Sequence, residues 1–447
     1  MSESCHLVYL NGMRKRRVAT FVLLLLTGLA ITGVLFAARD ERIQRRVAAV
    51  PAYARTYLRR LRPTPVLPTP PPVSDSGRAQ LLQTRVPPSL TPVPTVTVSP
   101  TLPPTNTARP SAEPPTVTPT AEPSATPTIT LTPFPLTPAA SELDLVGVTY
   151  TAQMWNNCGP ATLAMTLSYF GQEVHQREPA SFLKPNADDK NVSPGQLSRY
   201  FAGQGLHTIV RTDGTVDILQ RFLSNRIPVI VEDWIEQDDH GGMGHYRLLT
   251  GYDTENGYFV AQDSYYGPDE RLHMNAFYRN WRIFNRKYIV VFRPEQRERV
   301  EAILGPYLDD TYMWEQTLQT AQREAASDPA DAFSWFNLGS AYTHLNEPEL
   351  AAAAFDEARH LGLPLRMFWY QFEIFDAYLA VGRYEDVANL AYATAYSASG
   401  HEEAYYYAGL GYLGQGKNDV GISYLRKAID YNPNFQPAAD ALARYTE

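Results

Sequence analysis

Cysteine is nearly absent from this chain of 447 residues, which contains only Cys5 and Cys158. The two lie on opposite sides of a long apolar segment, so they cannot pair if that segment crosses a membrane. Two cysteines are also too few for a disulfide framework or for a four-cysteine zinc site. The sequence therefore excludes a fold held together by disulfides and a zinc centre of that type.

Basic stripes interleaved with aromatic residues are missing from the acidic part of the chain, so we set nucleic acid aside as a partner. Residues 1–62 carry 12 Lys/Arg and 3 Asp/Glu, a net charge of +9. The remainder carries 27 and 44, a net charge of −17. A basic start on an acidic body favours an N-terminus beside a membrane. The length leaves room for two to four domains.

An uncharged stretch of 21 residues, Val18 to Ala38, is long enough to cross the hydrocarbon core of a membrane as a helix. A cleaved signal peptide is the alternative, but its apolar region would be unusually long, and bulky Phe36 stands where a small residue is wanted. We predict an uncleaved transmembrane signal anchor, with residues 1–17 as a cytoplasmic tail and residues 39–62 as a basic juxtamembrane segment. Arginines lie on both sides of the apolar stretch, so the difference in positive charge that would predict its orientation in the membrane is small.

Residues 63–142 are predicted to be a disordered Pro/Thr-rich stalk, since 22 of the 36 prolines fall between residues 63 and 140. Proline lacks an amide hydrogen and fixes φ, so we expect neither helix nor sheet there. Wholly extended as polyproline II, the segment would span at most about 240 Å, at about 3.1 Å per residue. Such stalks resemble those of surface proteins. We therefore expect a single-pass cell-membrane protein whose later domains are extracytoplasmic.

From Leu143 the composition becomes globular, and helices are predicted before strands. The periodicity predicts helices over 157–170, 193–204 and 216–224. Runs rich in β-branched and aromatic residues predict strands over 227–231, 246–252, 257–262 and 288–292. This order is typical of an α+β domain, to which we assign residues 143–295. A charged junction at 293–297 predicts a boundary at which limited proteolysis would release two stable pieces.

From about residue 296 the chain becomes helical and repetitive. Residues at nearly the offsets of the tetratricopeptide pattern are Trp335, Leu338, Gly339, Tyr342, Phe355, Ala358 and Pro364. Tyr342, Tyr378 and Tyr412 occupy equivalent positions, although the middle repeat is degenerate, and a partial repeat ends near Asp328. We predict an all-α tetratricopeptide-repeat domain over 296–447. A generic helical bundle is the alternative.

Cys158 lies at the first turn of a predicted helix, in the run Asn157-Cys158-Gly159-Pro160. A helix N-terminus lowers the pKa of a thiol and favours the nucleophilic thiolate. Gln153, five positions upstream, could place its side-chain amide beside the thiol. Together with the backbone N–H of Cys158 it would form a two-donor oxyanion hole.

His245 begins a predicted strand and is the candidate acid/base, and two aspartates compete to orient it. Asp253 follows that strand immediately, which places it roughly 26 Å from His245 at about 3.3 Å per residue. Asp263 ends the returning strand of the hairpin and so comes back beside His245. We therefore predict Asp263 as the orienting acid. Asp253 is expected to cap the turn.

Two other features near these residues remain open. Asp238, Asp239 and His240 could bind a metal together with His245, although a glycine-rich acidic loop is more often solvated. Trp155 is either a wall of a cleft or a core residue. We expect no metal and no cofactor.

The three runs that carry the chemistry are NNCGPATLAMTLSYFG, GHYRLLTGYD and FVAQDSYYG. They resemble the three motif blocks of the C39-like peptidase family, a branch of the papain-like fold, and they occur in the same chain order. The resemblance covers roughly 150 residues. It implies a cysteine peptidase in which Cys158 is the nucleophile, His245 the base, Asp263 the orienting acid and Gln153 the oxyanion donor.

The implied reaction is hydrolysis of a peptide bond through a thioester, with the repeats binding a substrate or a protein partner. Family members linked to bacteriocin export cut leader peptides after a double glycine and are fused to an ATP transporter. This chain lacks a Walker A motif, since Gly414-Gln-Gly-Lys417 has the wrong spacing. The substrate therefore stays open. The alternatives are an inactive peptide-binding adaptor on the same scaffold and an acyl transferase that uses the same triad.

Overall fold

A computed structural model describes residues 67–83, 134–236, 242–398 and 400–446. The predicted membrane segment 18–38, its flanks 1–17 and 39–62, and the acidic loop residues 238–240 lie outside the described residues. Within the described ranges, no helix is both long enough and apolar enough to cross a membrane.

The first folded part is built on an antiparallel sheet. Its strands are β1 (Glu142–Asp144), β2 (His207–Arg211), β3 (Val229–Ile235), β4 (Met243–Asp253), β5 (Tyr258–Asp263), β6 (Gly267–His273) and β7 (Tyr288–Phe292). The order across the sheet is β2-β7-β3-β4-β5-β6, and β1 pairs with the last residues of β4, beyond the start of the antiparallel strand β3. The long central strand β4 and its return strand β5 form a hairpin, which brings the end of β5 back toward the start of β4.

Helices cover both faces of the sheet because its strands send apolar side chains to both sides. On one face lie α2 (Cys158–Tyr169), α3 (Arg177–Leu183) and α4 (Pro194–Gly203). On the other lie α5 (Val216–Ser224), α6 (Met274–Trp281) and α7 (Arg297–Leu304). Helix α2 is buried along most of its length, and the Thr162 hydroxyl donates to the Tyr246 carbonyl of β4 (3.2 Å). The helix that begins with Cys158 is thereby fixed against the strand that carries His245.

The predicted helices and most predicted strands are found where the periodicity placed them. The strand predicted over 227–231 is observed two residues later, since the Ile227 amide still bonds to the Phe222 carbonyl in the closing turn of α5. Five helices and strands described in this first part were not predicted: β1, α3, β2, β6 and α6. Strand β6 has the charged sequence GPDERLH and lies at the sheet edge, where it pairs only with β5, so it shows no apolar run.

The second part consists of packed antiparallel helices. They are α8 (Asp310–Ser327), α9 (Ala332–His344), α10 (Pro348–His360), α11 (Glu373–Ala380), α12 (Tyr384–Ala398), α13 (Glu402–Gly414), α14 (Asn418–Tyr431) and α15 (Gln436–Thr446). Gly339 has to be small, because a Cβ there would lie 2.7 Å from the ring of Phe355 on the paired helix. The middle pair is irregular: a 3-10 turn, Leu365–Trp369, precedes an α11 of only eight residues. The structure therefore shows repeated helix pairs rather than a generic bundle.

The two parts share a hydrophobic core. Trp234 of β3 and Phe284 after α6 pack in the same cluster as Trp335, Phe336 and Tyr370 of the helical part. Polar contacts reinforce this surface. Arg282 bonds to Asp331 (2.5 Å), Asn337 donates to the Arg282 carbonyl (2.6 Å), and Gln371 donates to the Ile283 carbonyl (3.3 Å). Helix α7, beyond the charged junction at 293–297, also packs on the sheet.

This shared core changes the expected result of limited proteolysis. We now expect the two parts to unfold together, because separating them would expose Trp234, Phe284 and Tyr370 to water. Thermal unfolding should show one transition by tryptophan fluorescence and by circular dichroism alike. A digest that cuts near residue 295 and leaves two separately stable pieces would contradict this expectation. It would instead support the domain boundary that the sequence predicts at 293–297.

The stalk prediction was wrong over residues 75–81, and residues 63–66 and 84–133 of the stalk lie outside the described residues. Residues Asp75–Leu81 form a short helix, α1, whose first turn is capped by Ser74. Residues 73–86 contain no proline, so the composition of the whole stalk concealed a stretch that is free to form a helix. At the other end, the backbone N–H and carbonyl of Thr137 both bond to the Asn225 side chain (2.9 and 3.1 Å), so ordered packing begins before residue 143.

Candidate active site

The loop that leads into Cys158 is held by Gln176, which is 3% exposed. Its side-chain oxygen accepts from the Met154 amide (2.8 Å) and from the Asn157 side chain (2.7 Å). Its side-chain nitrogen donates to the Ala152 carbonyl (2.8 Å). One buried amide therefore fixes both halves of the loop, and with it the start of α2.

Lys184 holds the same loop from its other side. Its buried ammonium donates to the carbonyls of Asn156 (2.6 Å) and Asp189 (2.7 Å). Asn156 has φ of 51°, in the left-handed region that Asn tolerates better than most residues. Burial lowers the pKa of Lys184, although the charges of Asp189 and Cys158 act in the opposite direction. Lys184 was not predicted from the sequence.

Cys158 is half-buried at the first residue of α2. Burial alone would raise the pKa of its thiol. The hydrogen bond and charge of His245, the Tyr246 backbone and the charge of Lys184 outweigh burial and lower the pKa below its usual value. The sequence predicts a lowered pKa from the helix N-terminus alone, and the structure adds two cationic side chains, His245 and Lys184.

His245 lies near the start of β4 and is 1% exposed. Its Nε2 is 2.9 Å from Oδ1 of Asp263. Its Nδ1 is buried and interacts with no group other than the Cys158 thiol among the described residues, so this nitrogen is the one that faces the thiol. Burial would lower the pKa of the imidazole, but the charge and hydrogen bond of Asp263, aided by Cys158, raise it to about 9. These shifts, downward for the thiol and upward for the imidazole, favour the thiolate–imidazolium pair over the neutral pair.

Asp263, at the end of β5, is fully buried and forms several hydrogen bonds. Besides His245, its Oδ1 accepts from the backbone amides of Tyr265 (2.8 Å) and Tyr266 (2.9 Å). Burial raises the pKa of this carboxyl, but His245, Arg247 and the Tyr266 amide together lower it well below its usual range. The carboxylate is therefore charged and fixed.

Asp253 lies at the other end of the hairpin, as the strand geometry predicts. Its carboxylate accepts from the Asn256 amide (2.8 Å) and from the Asn256 side chain (2.7 Å), across the turn. Of the two candidate aspartates, the structure brings Asp263 to His245 and leaves Asp253 in the turn. Their roles in catalysis remain predictions.

Arg247 and Asp233 extend the site in a way that the sequence did not reveal. Arg247, two residues after His245 on β4, donates from Nε to Asp263 Oδ2 (2.7 Å) and from Nη1 to Asp233 Oδ2 (2.6 Å). Asp233 pairs opposite His245 on β3 and is fully buried. Burial raises the pKa of Asp233, although Arg247 opposes this shift. Asp233, Arg247, Asp263 and His245 therefore form a buried row of alternating negative and positive groups, and the imidazole is its last member.

Gln153 is anchored by the segment that follows Asp263. Its backbone N–H donates to the Ser264 carbonyl (2.8 Å), and its side-chain oxygen accepts from the Ser264 hydroxyl (2.9 Å). With the oxygen so engaged, the nitrogen of the side-chain amide is the group available as a donor. This orientation suits the predicted oxyanion role.

Tyr370, from the helical part, reaches the site beside Gly244. A Cβ on Gly244 would lie 2.9 Å from Phe284 and 3.0 Å from Tyr370. The glycine therefore allows these rings to approach the start of β4. Burial and then the charge of Cys158 raise the pKa of the Tyr370 hydroxyl. No sequence pattern connects Tyr370 with His245.

Metal binding finds no support among the residues that the structure describes, since no group of three or more His, Cys, Asp or Glu there could hold an ion. The alternative cluster 238–240 falls outside those residues. Trp155 is half-buried in the loop before Cys158.

The shifts at Cys158 and His245 predict an unusual pH profile of alkylation. A lowered folded pKa keeps the thiolate present as pH falls below the usual thiol value of about 8.5. Iodoacetamide should therefore reach half of its maximal rate at Cys158 below that pH. In His245→Ala the cation is gone and burial dominates, so the midpoint should move above it. Mass spectrometry separates Cys158 from Cys5. Equal midpoints in the two proteins would contradict the pairing.

Both folded parts contain residues that match models of known families. The sequence model of the Peptidase C39 like family matches residues 145–289, and that of the tetratricopeptide repeat matches 334–358 and 402–435. The degenerate middle helix pair is not matched. No curated protein matches the chain.

Solved structures with detectable similarity include a putative C39-like peptidase from Bacillus anthracis, at 16% identity. It covers 34% of this chain and 98% of its own, with a TM-score of 0.29. The peptidase domain of Streptococcus ComA, a bi-functional ABC transporter of a quorum-sensing pathway, is 17% identical, covers 33% and 98%, and has a TM-score of 0.27. A double glycine motif protease from an AMS/PCAT transporter, solved with a leader peptide, is 18% identical, covers 33% and 91%, and has a TM-score of 0.24.

The family match spans the residues whose geometry is described above: the Cys158 helix, the His245 strand and the Asp263 turn all lie within 145–289. The helix pairs that follow carry the repeat pattern at the matched positions. Residues 145–289 of this chain therefore form a domain that matches the model of the Peptidase C39 like family, and helix pairs that match the tetratricopeptide repeat follow it.

Proposed function

We propose that this protein is a cysteine peptidase with a papain-like mechanism. The observation that carries the proposal is the position of His245, held by Asp263 at 2.9 Å and interacting with a thiol of lowered pKa. An inert cysteine would need neither an oriented histidine beside it nor a lowered thiol pKa. Such a pair is the arrangement that nucleophilic catalysis by cysteine requires.

In the proposed reaction the Cys158 thiolate attacks the carbonyl carbon of a peptide bond, forming a C–S bond. The backbone N–H of Cys158 and the Gln153 side-chain amide stabilise the oxyanion. His245 donates its proton from Nδ1 to the leaving amine, the C–N bond breaks, and a thioester remains. Water then attacks the thioester while His245 takes its proton, releasing the carboxylic acid and restoring the thiolate.

The proposal is tested by labelling the full chain with a peptidyl acyloxymethyl ketone, followed by mass spectrometry. Covalent labelling should occur at Cys158, and Cys158→Ala should abolish it. Labelling without turnover of any peptide in a fluorogenic library would favour the inactive adaptor. Turnover only in the presence of an amine acceptor would favour an acyl transferase. Labelling at Cys5 alone would refute the proposal.

We further propose that residues 18–38 anchor the protein in the cell membrane, with the peptidase domain and repeats outside the cytoplasm. The apolar stretch and the Pro/Thr-rich segment after it support this location. A reporter that is active only after export, fused beyond Glu447, should be active. Activity of a cytoplasm-only reporter at that position, with the exported one silent, would reverse the orientation.

A further inference from the structure

Residues 67–83 of the predicted stalk lie on the repeats, far along the chain from them; we call this segment the clasp. Its Leu81 is 1% exposed and belongs to the core of the repeats, while Leu67, Val73 and Leu82 pack against that core. A linker of this composition needs no specific contacts. Because the clasp nevertheless buries apolar side chains in the core of the repeats, it is bound there as a peptide ligand would be.

Glu357 of α10 shows that the repeats are built to receive this segment. Its side chain is fully buried. Its Oε1 accepts from the Arg78 guanidinium (2.5 Å) and its Oε2 from the Val73 backbone amide (3.0 Å). Among the described residues, both hydrogen-bond partners of this carboxylate come from the clasp. Without the clasp, Glu357 would be a buried and unpaired charge, which is strongly unfavourable.

Four other side chains of the repeats bind the clasp through its backbone. The Tyr342 hydroxyl and the Gln322 amide both donate to the Leu81 carbonyl (2.7 and 3.2 Å), and Gln322 also donates to the Gln83 carbonyl (2.9 Å). These bonds satisfy carbonyls at the end of α1, where a helix lacks internal partners.

The proline-rich half of the clasp is bound in the same way. Arg359 donates to the Pro68 carbonyl (2.8 Å), and His360 Nδ1 lies 3.1 Å from the Pro70 carbonyl oxygen, where it has to act as the donor. Proline carbonyls accept hydrogen bonds although proline cannot donate one, so an extended proline segment suits a surface that offers donors.

We propose that Gln322, Tyr342, Glu357, Arg359 and His360 form a peptide-binding site of the repeats, the clasp site, and that its ligand is the chain's own residues 67–83. The recognised chemistry is an extended proline segment followed by a short helix that presents one arginine and a buried leucine. In that case Gln83 and Thr137, which lie on either side of residues 84–133, are both held by side chains of the folded part.

Docking of the clasp would shorten the reach of the enzyme, an effect that rests on the anchoring proposed above. The 50 residues 84–133 could add up to about 155 Å if extended at about 3.1 Å each. With the clasp docked, they add nothing to the distance between residue 67 and the repeats. The clasp site itself does not depend on a membrane, so it is tested in detergent solution.

The experiment uses the full chain with the recognition sequence of a site-specific protease inserted after residue 110. After cleavage, the N-terminal piece should stay bound to the body during gel filtration and leave when excess synthetic peptide 67–83 is added. Separation of the wild-type pieces directly on cleavage would overturn the proposal. Before cleavage, light scattering should show a monomer. A dimer whose clasps are exchanged between copies would overturn the assignment to the same chain.

Variants test the chemistry of the site. Arg78→Glu should release the N-terminal piece, with binding weakened roughly 100-fold or more, because it sets two carboxylates against each other in a buried site. Arg78→Glu combined with Glu357→Arg should restore retention. Gln80→Glu is the matched control, since Gln80 is exposed on the same helix. Retention of Arg78→Glu equal to that of the control would refute the site, and circular dichroism checks the fold of each variant.

Discussion

Asp263→Ala is expected to lower peptide turnover by about 10²–10⁴-fold while the protein stays folded. The corresponding loss in serine enzymes reaches about four orders of magnitude. We expect a smaller loss here because the thiolate–imidazolium pair forms before substrate binds. Asp263 accepts from His245 at 2.9 Å and is held by two backbone amides, so its removal frees the ring to rotate and lowers the pKa of His245.

The measurement is the second-order rate constant for labelling of Cys158 by a peptidyl electrophile, together with hydrolysis of fluorogenic peptides. Asp253→Ala is the matched control, an aspartate on the same hairpin whose carboxylate accepts hydrogen bonds from Asn256 across the turn. This control should lose thermal stability and keep its activity. Asp263→Asn, close in shape but neutral, separates loss of charge from loss of packing. Full activity of Asp263→Ala beside a folded, inactive Asp253→Ala would reverse the assignment.

The placement of Asp263 beside His245 could be predicted from the sequence because it depends on local geometry alone. A strand, a turn and a returning strand follow each other in the chain, and their lengths determine which residues meet. The same holds for Cys158 at the start of α2, where glycine and proline mark the helix start. Such patterns depend on residues that are close in the sequence, so tertiary packing elsewhere in the chain does not change them.

The residues around this triad could not be predicted, since each reaches the site through tertiary packing. Gln176 and Lys184 come from the flanks of α3, an element that the periodicity did not reveal. Tyr370 comes from the repeats, more than a hundred residues later. In the sequence, Arg247 looks like an ordinary charged residue within an apolar strand. Its partner Asp233 is opposite only once β3 and β4 pair in the observed register.

The stalk and the boundary near 295 show the limits of composition. The average composition of 80 residues concealed a short stretch without proline, which has a Ser74 cap and two adjacent leucines. Taken by itself, this stretch predicts a helix. A change in composition also does not imply independent folding. No sequence pattern around Trp234 or Phe284 indicates that these residues belong to a core shared with the repeats.

Arg247→Met is expected to destabilise the protein by about 3–5 kcal/mol at neutral pH, the range measured when one partner of a buried ion pair is removed. Arg247 is 7% exposed and lies between two fully buried carboxylates, at 2.6 Å from Asp233 and 2.7 Å from Asp263. Methionine fills most of the volume but leaves both charges without their cation. Asp263 keeps His245 and two amides, so Asp233 should carry most of the penalty.

The pH dependence of this loss identifies its cause. In Arg247→Met the folded pKa of Asp233 should rise further above its unfolded value, because the largest influence that opposes burial is then removed. A group with a raised folded pKa contributes stability that is present at low pH and lost as pH rises. The deficit relative to wild type should therefore shrink as pH falls from 7 toward 5, and Asp233→Asn in the Arg247→Met background should recover part of it at pH 7.

Arg221→Met is the matched control for a charge effect without burial. Arg221 pairs with Asp217 at 2.8 Å, but both side chains are more than half exposed, so the change should cost no more than about 1 kcal/mol. Urea unfolding at pH 5 and pH 7 measures all three variants. If Arg247→Met behaves like Arg221→Met, or if its deficit is independent of pH, then the buried row of charges is not what stabilises β3 against β4, and Arg247 acts through packing alone.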